Sequence, residues 1–215
     1  AALKLQLQLL ERASDPGARE LAQQKLASGI DRATRLVQQL LALARQDAQA
    51  GSGTASLPQV DLSAIAMQAI ADLAPAAQAR KLDLGLAEGC ESRPHLILHG
   101  DALALQSLVV NLLENAIKYV PEGSRIDVGW HQNAAGHGLS VEDSGPGIPE
   151  SERQLVMTRF VRGDAATGSS GTGLGLAIAQ AIAQRHGGRL ELGVSSGLGG
   201  LRALVAWPSG EAPQR

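Results

Sequence analysis

An apolar seam near the N-terminal end of the chain constrains its fold more than any other feature. The seam positions are separated alternately by four and three residues: Leu26, Ile30, Ala33, Val37, Leu40 and Ala44. A helix with such a heptad-like stripe buries it against another helix. An upstream leucine run supplies that partner, and Asp15-Pro16-Gly17 between the two supplies a helix stop and a helix start. We therefore predict an antiparallel helical hairpin over residues 1–48.

The two arms of this predicted hairpin differ in length. The second arm spans roughly 30 residues, or about 45 Å, and the first roughly 13 residues, or about 20 Å. A long seam would expose much of its apolar face if its partner ended so early, so we expect the first helix to begin upstream of Ala1. The alternative is an uneven hairpin whose long arm docks on another domain.

The sequence pattern changes after a linker of small and polar residues at 49–59. Helical and strand patterns alternate from residue 60 to residue 208, which predicts an α+β domain, and residues 209–215 form a tail. Helices are predicted at 61–79, 101–119, 150–158 and 174–185. Strands are predicted at 82–86, 95–99, 125–131, 138–142, 190–194 and 201–206.

Composition and charge exclude several classes of function. Aromatic residues make up 2% of the chain, which leaves an aliphatic core and too few rings for base stacking on nucleic acids. The formal net charge of −2 argues against a broad surface for phosphate backbones. Cys90 is the only cysteine, so the chain has no disulfide framework and no cysteine zinc cluster. No apolar run approaches the length of a membrane span.

Four clusters of polar residues or glycines are candidates for a binding site. The first is Asn111-Leu-Leu-Glu-Asn115-Ala-Ile-Lys118-Tyr119, in which Asn111, Asn115 and Lys118 share one helix face. Carboxamide oxygens suit Mg²⁺ and a lysine suits phosphate. Taken alone, these residues are more simply explained as the solvated face of the helix, which is the alternative.

The second cluster, Glu142-Asp143-Ser144-Gly145-Pro146-Gly147-Ile148-Pro149, follows a predicted strand. An aspartate at a strand end can accept a hydrogen bond from an exocyclic amine such as that of adenine. An ordinary strand-ending turn is the alternative.

The third cluster, Gly171-Thr172-Gly173-Leu174-Gly175-Leu176-Ala177, leads into a helix, where backbone N–H groups attract phosphate. Its spacing matches neither the dinucleotide fingerprint nor the P-loop, and a plain flexible loop is the alternative.

The fourth cluster is Arg159-Phe160-Val161-Arg162-Gly163. Phe160 can anchor one end of a mobile lid while Arg162 reaches a phosphate. A buried anchor and a solvated arginine are the alternative.

Together, in this order and at these separations, the four clusters resemble the N, G1, F and G2 boxes of sensor histidine kinases. Residues 60–208 are similar to the catalytic ATP-binding domain of that family, which type II topoisomerases and MutL share. The resemblance implies a Bergerat fold, a two-layer α/β sandwich with a mixed sheet covered by helices. Residues 1–48 resemble a truncated dimerisation and histidine phosphotransfer domain.

The resemblance implies roles for matching residues. Asn115 would coordinate Mg²⁺, with Asn111 beside the metal and phosphates, and Asn111 and Lys118 would be the catalytic residues. Lys118 and Tyr119 would contact phosphate and nucleotide. Asp143 would hold the adenine amino group in a pocket shaped by two glycines, Gly145 and Gly147.

The remaining cofactor-binding residues that the resemblance implies belong to the lid over the nucleotide. Leu174 would cover the nucleotide, and the glycines would close the lid onto the phosphates of ATP. The full set is Phe160, Arg162, Gly171, Thr172, Gly173, Leu174, Gly175 and Leu176.

The resemblance also implies ATP-dependent phosphorylation of a histidine, followed by relay to an aspartate of a response-regulator receiver domain. The family carries the acceptor histidine on the first hairpin helix, before an acidic residue, Leu, Arg and Pro. None of the five histidines here has that context, so we expect the acceptor upstream of Ala1 and a chain that binds ATP without labelling itself. His186, before two glycines, fits a helix end; the other four histidines fit surface or strand positions.

Two alternatives to the kinase remain at this stage. A GHKL-type ATPase would carry a glutamate as general base at the position of Asn111, and asparagine is a poor base. A nucleotide-binding pseudokinase would dimerise without transferring phosphate.

The resemblance further implies a homodimer through a four-helix bundle, weakened here by the short first helix. It also implies a cytoplasmic domain whose parent protein is anchored in the bacterial inner membrane.

Overall fold

The computed structural model describes residues 57–133, 136–158 and 174–208, together with Asp15 and Gly17. The chain divides into two compact units, Ala1–Ser52 and Gly53–Arg215, and all elements with defined bounds belong to the second unit. Apart from Asp15 and Gly17, the predicted hairpin lies outside the described residues, as do nearly all of the linker and the tail, so these parts of the domain organisation stay predictions.

Within the described residues, four α-helices and seven strands make up the second unit. The helices are α1 (Leu62–Ala79), α2 (Ala102–Tyr119), α3 (Glu150–Val156) and α4 (Gly175–Arg185). The strands are β1 (Gln59–Asp61), β2 (Asp83–Leu86), β3 (Ile97–His99), β4 (Arg125–Asn133), β5 (Gly136–Asp143), β6 (Arg189–Val194) and β7 (Leu201–Pro208). Each helix and strand predicted after residue 60 is therefore present, with shifts of a few residues at its ends.

Five strands form one mixed sheet in the order β2-β4-β5-β7-β6. Strand β2 is parallel to β4, and every other neighbouring pair is antiparallel. Alternate residues of the central strands bury one face of this sheet: Ile126, Val128, Trp130, Leu139, Val141, Ala203, Val205 and Trp207. Helices α1, α2 and α4 pack on the same core, with α2 between the other two. The α+β, two-layer arrangement with a mixed sheet is confirmed.

Both long helices begin at an aspartate whose side chain satisfies free backbone N–H groups. Asp61 Oδ1 accepts from Ala64 N at 3.0 Å at the start of α1. Asp101 Oδ1 accepts from Leu103 N at 3.0 Å and from Ala104 N at 3.2 Å at the start of α2. These caps fix the starting points of the two helices, and the apolar residues that follow them enter the core.

The far end of α2 is held by an arginine from another helix. Arg80 follows the last residue of α1, and its Nη2 donates to Val120 O at 2.9 Å while its Nη1 donates to Ile117 O. These carbonyls belong to the last turn of α2 and the residue after it, where intrahelical partners run out. Arg80 thereby fixes the turn that carries Lys118 and Tyr119.

His186 lies at a helix end, as predicted, and joins α4 to α2. Its Nδ1 lies 2.8 Å from Ile182 O, and Asp101 N donates to its Nε2 at 3.1 Å. Since an N–H can only donate and a carbonyl can only accept, the ring is the neutral tautomer with its proton on Nδ1. A side chain on Gly100 would overlap this ring, with Cβ 2.6 Å from its Cδ2 atom.

Two details of the strands differ from the prediction. Strand β1 was not predicted; it forms a two-stranded antiparallel sheet with β3, in which Val60 pairs with Leu98. Strands β4 and β5 are longer than predicted because their pairing continues to Asn133 and Gly136. In both places a distant or adjoining strand supplies the hydrogen bonds, which residue type alone does not indicate.

No helix within the described ranges has the length and hydropathy required to traverse a bilayer.

Candidate functional site

Helix α2 carries two asparagines, Asn111 and Asn115, one turn apart on the same face. Asn111 is buried, and its Nδ2 donates to Ser107 O at 2.7 Å, so its amide is held with Oδ1 turned away from that bond. Asn115 lies one turn further along. Its Nδ2 is buried and has no hydrogen-bond partner among the described residues. Leaving such an amide unpaired costs free energy, and buried unpaired groups of this kind often mark ligand sites.

The unpaired amide of Asn115 lies against the beginning of α4. A Cβ placed on Gly175 would be 2.9 Å from Asn115 Nδ2 and 3.1 Å from its Oδ1. Gly175 is the first residue of α4, where backbone N–H groups are free and the helix dipole is positive. The structure therefore brings the carboxamide of Asn115 and an anion-attracting helix end together, as phosphate and a cation would require.

At the end of β5 stands a buried carboxylate. Asp143 is 6% exposed, and its Oδ1 accepts from Gly145 N at 2.9 Å and from Leu201 N at 3.1 Å. Burial raises the pKa of Asp143 above the usual 3.8, against the lowering by these two backbone bonds. No described residue donates to Oδ2, so this oxygen can accept a hydrogen bond from a ligand.

Three glycines surround Asp143. A Cβ on Gly145 would lie 3.0 Å from both Asp143 Oδ1 and Val120 Cγ1, and Gly147 has φ +71°, which favours glycine. Gly200 was not predicted as part of the site. A Cβ there would lie 2.6 Å from Gly145 N and closer still to Asp143 O and Oδ1. Small residues at these positions leave the carboxylate unobstructed.

Val120 connects the two halves of the site. It directly follows α2, five residues after Asn115, and its side chain packs at Gly145 beside Asp143. The asparagine face of α2 and the turn that follows Asp143 therefore lie side by side, as we expected from the order of the motifs. The structure brings Asn115 to Gly175, and it brings Val120, at the end of α2, to Gly145 and Asp143.

Lys118 and Tyr119 lie on the last turn of α2. Lys118 Nζ donates to Tyr119 Oη at 3.0 Å and lies 4.6 Å from the centre of its ring. Tyr119 is partly exposed at 39%, so this pair is accessible to a ligand. The contact with phosphate and nucleotide that the resemblance implied stays a prediction.

The predicted lid residues are described only in part. Leu174 is buried in the core at 4% exposure, and Leu176 is partly buried against the same core. Gly175, the first residue of α4, is described above, and the remaining five predicted residues of this group lie outside the described ranges: Phe160, Arg162, Gly171, Thr172 and Gly173. Their roles, and a cover of Leu174 over the nucleotide, stay predictions.

The side chains at this site can hold a cation only if a bound ligand supplies some of the coordinating atoms. Within the residues described, no group of three or more His, Cys, Asp and Glu side chains could hold a metal ion. Amide oxygens from α2 together with phosphate oxygens and water match the preference of Mg²⁺, which usually keeps several waters. The residues present thus fit Mg²⁺ brought in with a nucleotide.

Comparisons with known proteins agree with this geometry. Residues 100–210 match the family described as "Histidine kinase-, DNA gyrase B-, and HSP90-like ATPase". Sensor protein QseC of Escherichia coli (strain K12) is 38% identical over 96% of this chain and 44% of that protein. Sensor protein kinase PmrB of Pseudomonas aeruginosa is 32% identical over 97% of this chain and 42% of that protein.

A solved structure agrees as well. The cytoplasmic segment of histidine kinase QseC has 32% identity and a TM-score of 0.55, and the match covers 84% of this chain and 95% of that one. The chain spans less than half the length of the two curated relatives above. More than half of its own residues fall within the family match. The chain therefore belongs to the family of histidine kinase-, DNA gyrase B-, and HSP90-like ATPases, and its relatives include the histidine kinase QseC and the sensor protein kinase PmrB.

Proposed function

We propose that this chain is the ATP-binding catalytic part of a sensor histidine kinase. It binds ATP with Mg²⁺ and transfers the γ-phosphoryl group to a histidine outside the chain. The observation that carries the proposal is Asp143, a buried carboxylate at the end of β5 with two backbone donors on Oδ1 and none from the described residues on Oδ2.

Adenine recognition follows from this carboxylate. Oδ1 is occupied by Gly145 N and Leu201 N, which leaves Oδ2 to accept a hydrogen bond from the exocyclic amine of adenine. Guanine and hypoxanthine carry a carbonyl at the same ring position, and two acceptors facing each other repel. A buried site of this kind rejects the wrong base strongly because its carboxylate would remain unpaired.

Phosphate binding is assigned to the other half of the site. Asn115 and Asn111 offer carboxamide oxygens for Mg²⁺, and the first turn of α4 offers free backbone N–H groups. Lys118 adds a positive charge on the same helix as the asparagines. When bound, Mg²⁺ would neutralise phosphate charge, while these residues position the triphosphate.

Transfer fits this site better than hydrolysis. Hydrolysis needs a general base that takes a proton from water, and the amide of Asn111 has no basic atom. Its Nδ2 is moreover committed to Ser107 O. Phosphoryl transfer depends chiefly on positioning and charge neutralisation, which this site provides, so a histidine nitrogen can serve as the nucleophile.

The relatives extend this proposal to the whole protein. We infer that the parent protein dimerises through the hairpin predicted at 1–48, relays phosphate to an aspartate of a response-regulator receiver domain, and is anchored in the inner membrane with this chain on the cytoplasmic side. Support comes from the relatives' names as sensor kinases and from the solved cytoplasmic segment of QseC.

Nucleotide titration tests the core of the proposal. ATP would be titrated calorimetrically into the wild type, Asp143→Ala and Asn115→Ala, with and without Mg²⁺. We expect Asp143→Ala to weaken ATP in both conditions and Asn115→Ala to weaken it chiefly when Mg²⁺ is present. Asp83→Ala, which changes an exposed aspartate of β2, is the matched control and should bind as the wild type does. Unchanged ATP affinity in Asp143→Ala would refute the assignment of the adenine site.

A further inference from the structure

The turn between β6 and β7, residues 195–200, supplies part of the environment of Asp143. Gly200 N donates to Asp143 O at 3.0 Å, and Leu201 N donates to Asp143 Oδ1 at 3.1 Å. Among the described residues Oδ1 has only one further donor, Gly145 N. One of the two hydrogen bonds that orient the carboxylate therefore depends on the position of this turn.

Ser195 fixes the other end of the same turn. It is 1% exposed, and its Oγ donates to Glu142 Oε2 at 2.6 Å while accepting from Leu198 N at 3.0 Å. Its backbone closes the turn as well, since Ser195 N donates to Gly200 O and Gly199 N donates to Ser195 O, both at 2.9 Å. The Ser195 hydroxyl therefore holds the turn both internally and to β5.

Glu142 and Asp143 are consecutive residues of β5, so their side chains point to opposite faces of the sheet. Glu142 also forms an ion pair with Arg202, its partner on β7, whose Nε lies 3.5 Å from Glu142 Oε1. The turn is consequently bound on both faces, to Glu142 on one and to Asp143 on the other. Its two ends cannot shift separately without breaking one of these bonds.

We propose that Ser195, through its hydrogen bond to Glu142, is a positioning residue that sets how well Asp143 discriminates adenine from other bases. The proposal rests on the proposed function, because it assumes that Asp143 contacts the exocyclic amine. Ser195 acts through the turn and the Leu201 N–H, and it touches no part of the ligand itself.

The test compares ATP with ITP, whose base carries a carbonyl where adenine carries the amine. Dissociation constants for both nucleotides would be measured on the wild type, Ser195→Ala, Glu142→Ala, Glu142→Gln and Asp143→Ala. We expect Ser195→Ala and Glu142→Ala to weaken ATP about three- to tenfold, the worth of one hydrogen bond, and to leave ITP unchanged. Glu142→Gln keeps an acceptor for the Ser195 hydroxyl and should retain most of the preference for ATP.

Two controls separate positioning from folding. Ser140→Ala changes a serine on the same face of β5, two residues from Glu142, and should keep the wild-type preference. Adding Ser195→Ala to Asp143→Ala should cause no further loss of ATP affinity, because the two substitutions act through the same carboxylate.

The outcomes distinguish this proposal from the one on which it rests. If Asp143→Ala loses the preference for ATP while Ser195→Ala and Glu142→Ala keep it, the positioning role is wrong and the adenine site stands. An equal loss of ATP and ITP affinity in Ser195→Ala would also overturn it, since that loss would reflect a general structural defect. Absence of ATP binding by the wild type would remove the proposed function and the positioning role with it.

Discussion

Replacing Gly200 by alanine should damage the proposed adenine site, because the added methyl group has no space. Its Cβ would lie 2.6 Å from Gly145 N, whereas ordinary contact begins at 3.4 Å, and it would lie closer still to Asp143 O and Oδ1. Either Asp143 or the turn must therefore move by most of an ångström. The Leu201 N–Oδ1 bond, at 3.1 Å, does not survive such a displacement.

The expected loss follows from these contacts. Overpacking at a rigid site costs about 1–3 kcal/mol of stability. A hydrogen bond to a charged group contributes about 1.5–3 kcal/mol, so displacement of the carboxylate should weaken ATP roughly 10- to 100-fold. The same turn offers two matched controls. Gly197→Ala meets nothing within 4 Å, while Gly199→Ala has space but a φ of +81°.

Urea unfolding and ATP titration of the three variants would check this reasoning. Gly197→Ala should bind ATP normally and gain up to about 1 kcal/mol of stability from reduced chain entropy. Gly199→Ala should lose about 1 kcal/mol through backbone strain and keep most of its ATP affinity. Gly200→Ala should lose both stability and ATP affinity. Wild-type ATP affinity in a folded Gly200→Ala protein would refute the close packing on which the site depends.

Asp143, Gly175 and Arg80 each allow a further test. Burial raises the pKa of Asp143, so its contribution to stability is fully present below about pH 3.8 and is lost as pH rises through the raised pKa. The unfolding free energy of the wild type relative to Asp143→Asn should therefore fall across that pH window and stay constant above it. A difference that does not depend on pH would contradict the raised pKa. Gly175→Ala places a Cβ 2.9 Å from Asn115 Nδ2, so calorimetry with and without Mg²⁺ should show loss of the Mg²⁺-dependent part of ATP affinity; a retained Mg²⁺ effect would argue against Asn115. Arg80→Ala leaves two carbonyls at the end of α2 without their donor and should cost about 1–3 kcal/mol in urea unfolding. Arg80→Lys should recover only part of this, because an ammonium group lacks the fixed fork of the two guanidinium nitrogens, and an unchanged unfolding midpoint in Arg80→Ala would contradict the role of Arg80.

Local features of the sequence were sufficient to predict most of the fold of the second unit. Helix α2 combines a capping aspartate with leucines at helical spacing, and β5 alternates apolar and polar residues before Asp143. The site residues on these elements were predicted because each lies within or beside a short motif. The resemblance also implied the order of these elements along the chain, and that order was enough to predict that the site residues lie close together.

Residues that act across long separations in the chain were not predicted. Gly200 lies 57 positions after Asp143, and Arg80 acts on Val120, 40 positions away. Strand β1 likewise depends on hydrogen bonds to β3. No local pattern distinguishes such residues from ordinary turn glycines or surface arginines, since their importance comes from the partner that folding brings to them. The Gly-Leu-Gly-Gly run at 197–200 was the one available signal for the turn that contacts Asp143.

The proposed function requires Asp143, Asn115 and the start of α4 to form one site for an adenine nucleotide. Its most direct test is an amide and side-chain amide NMR titration of the chain with Mg²⁺ and ATP. We expect saturable shifts of the Gly145, Leu201 and Gly175 backbone amides and of the Asn115 side-chain amide, with one common dissociation constant. Shifts confined to other parts of the protein, or separate constants for these four groups, would contradict it.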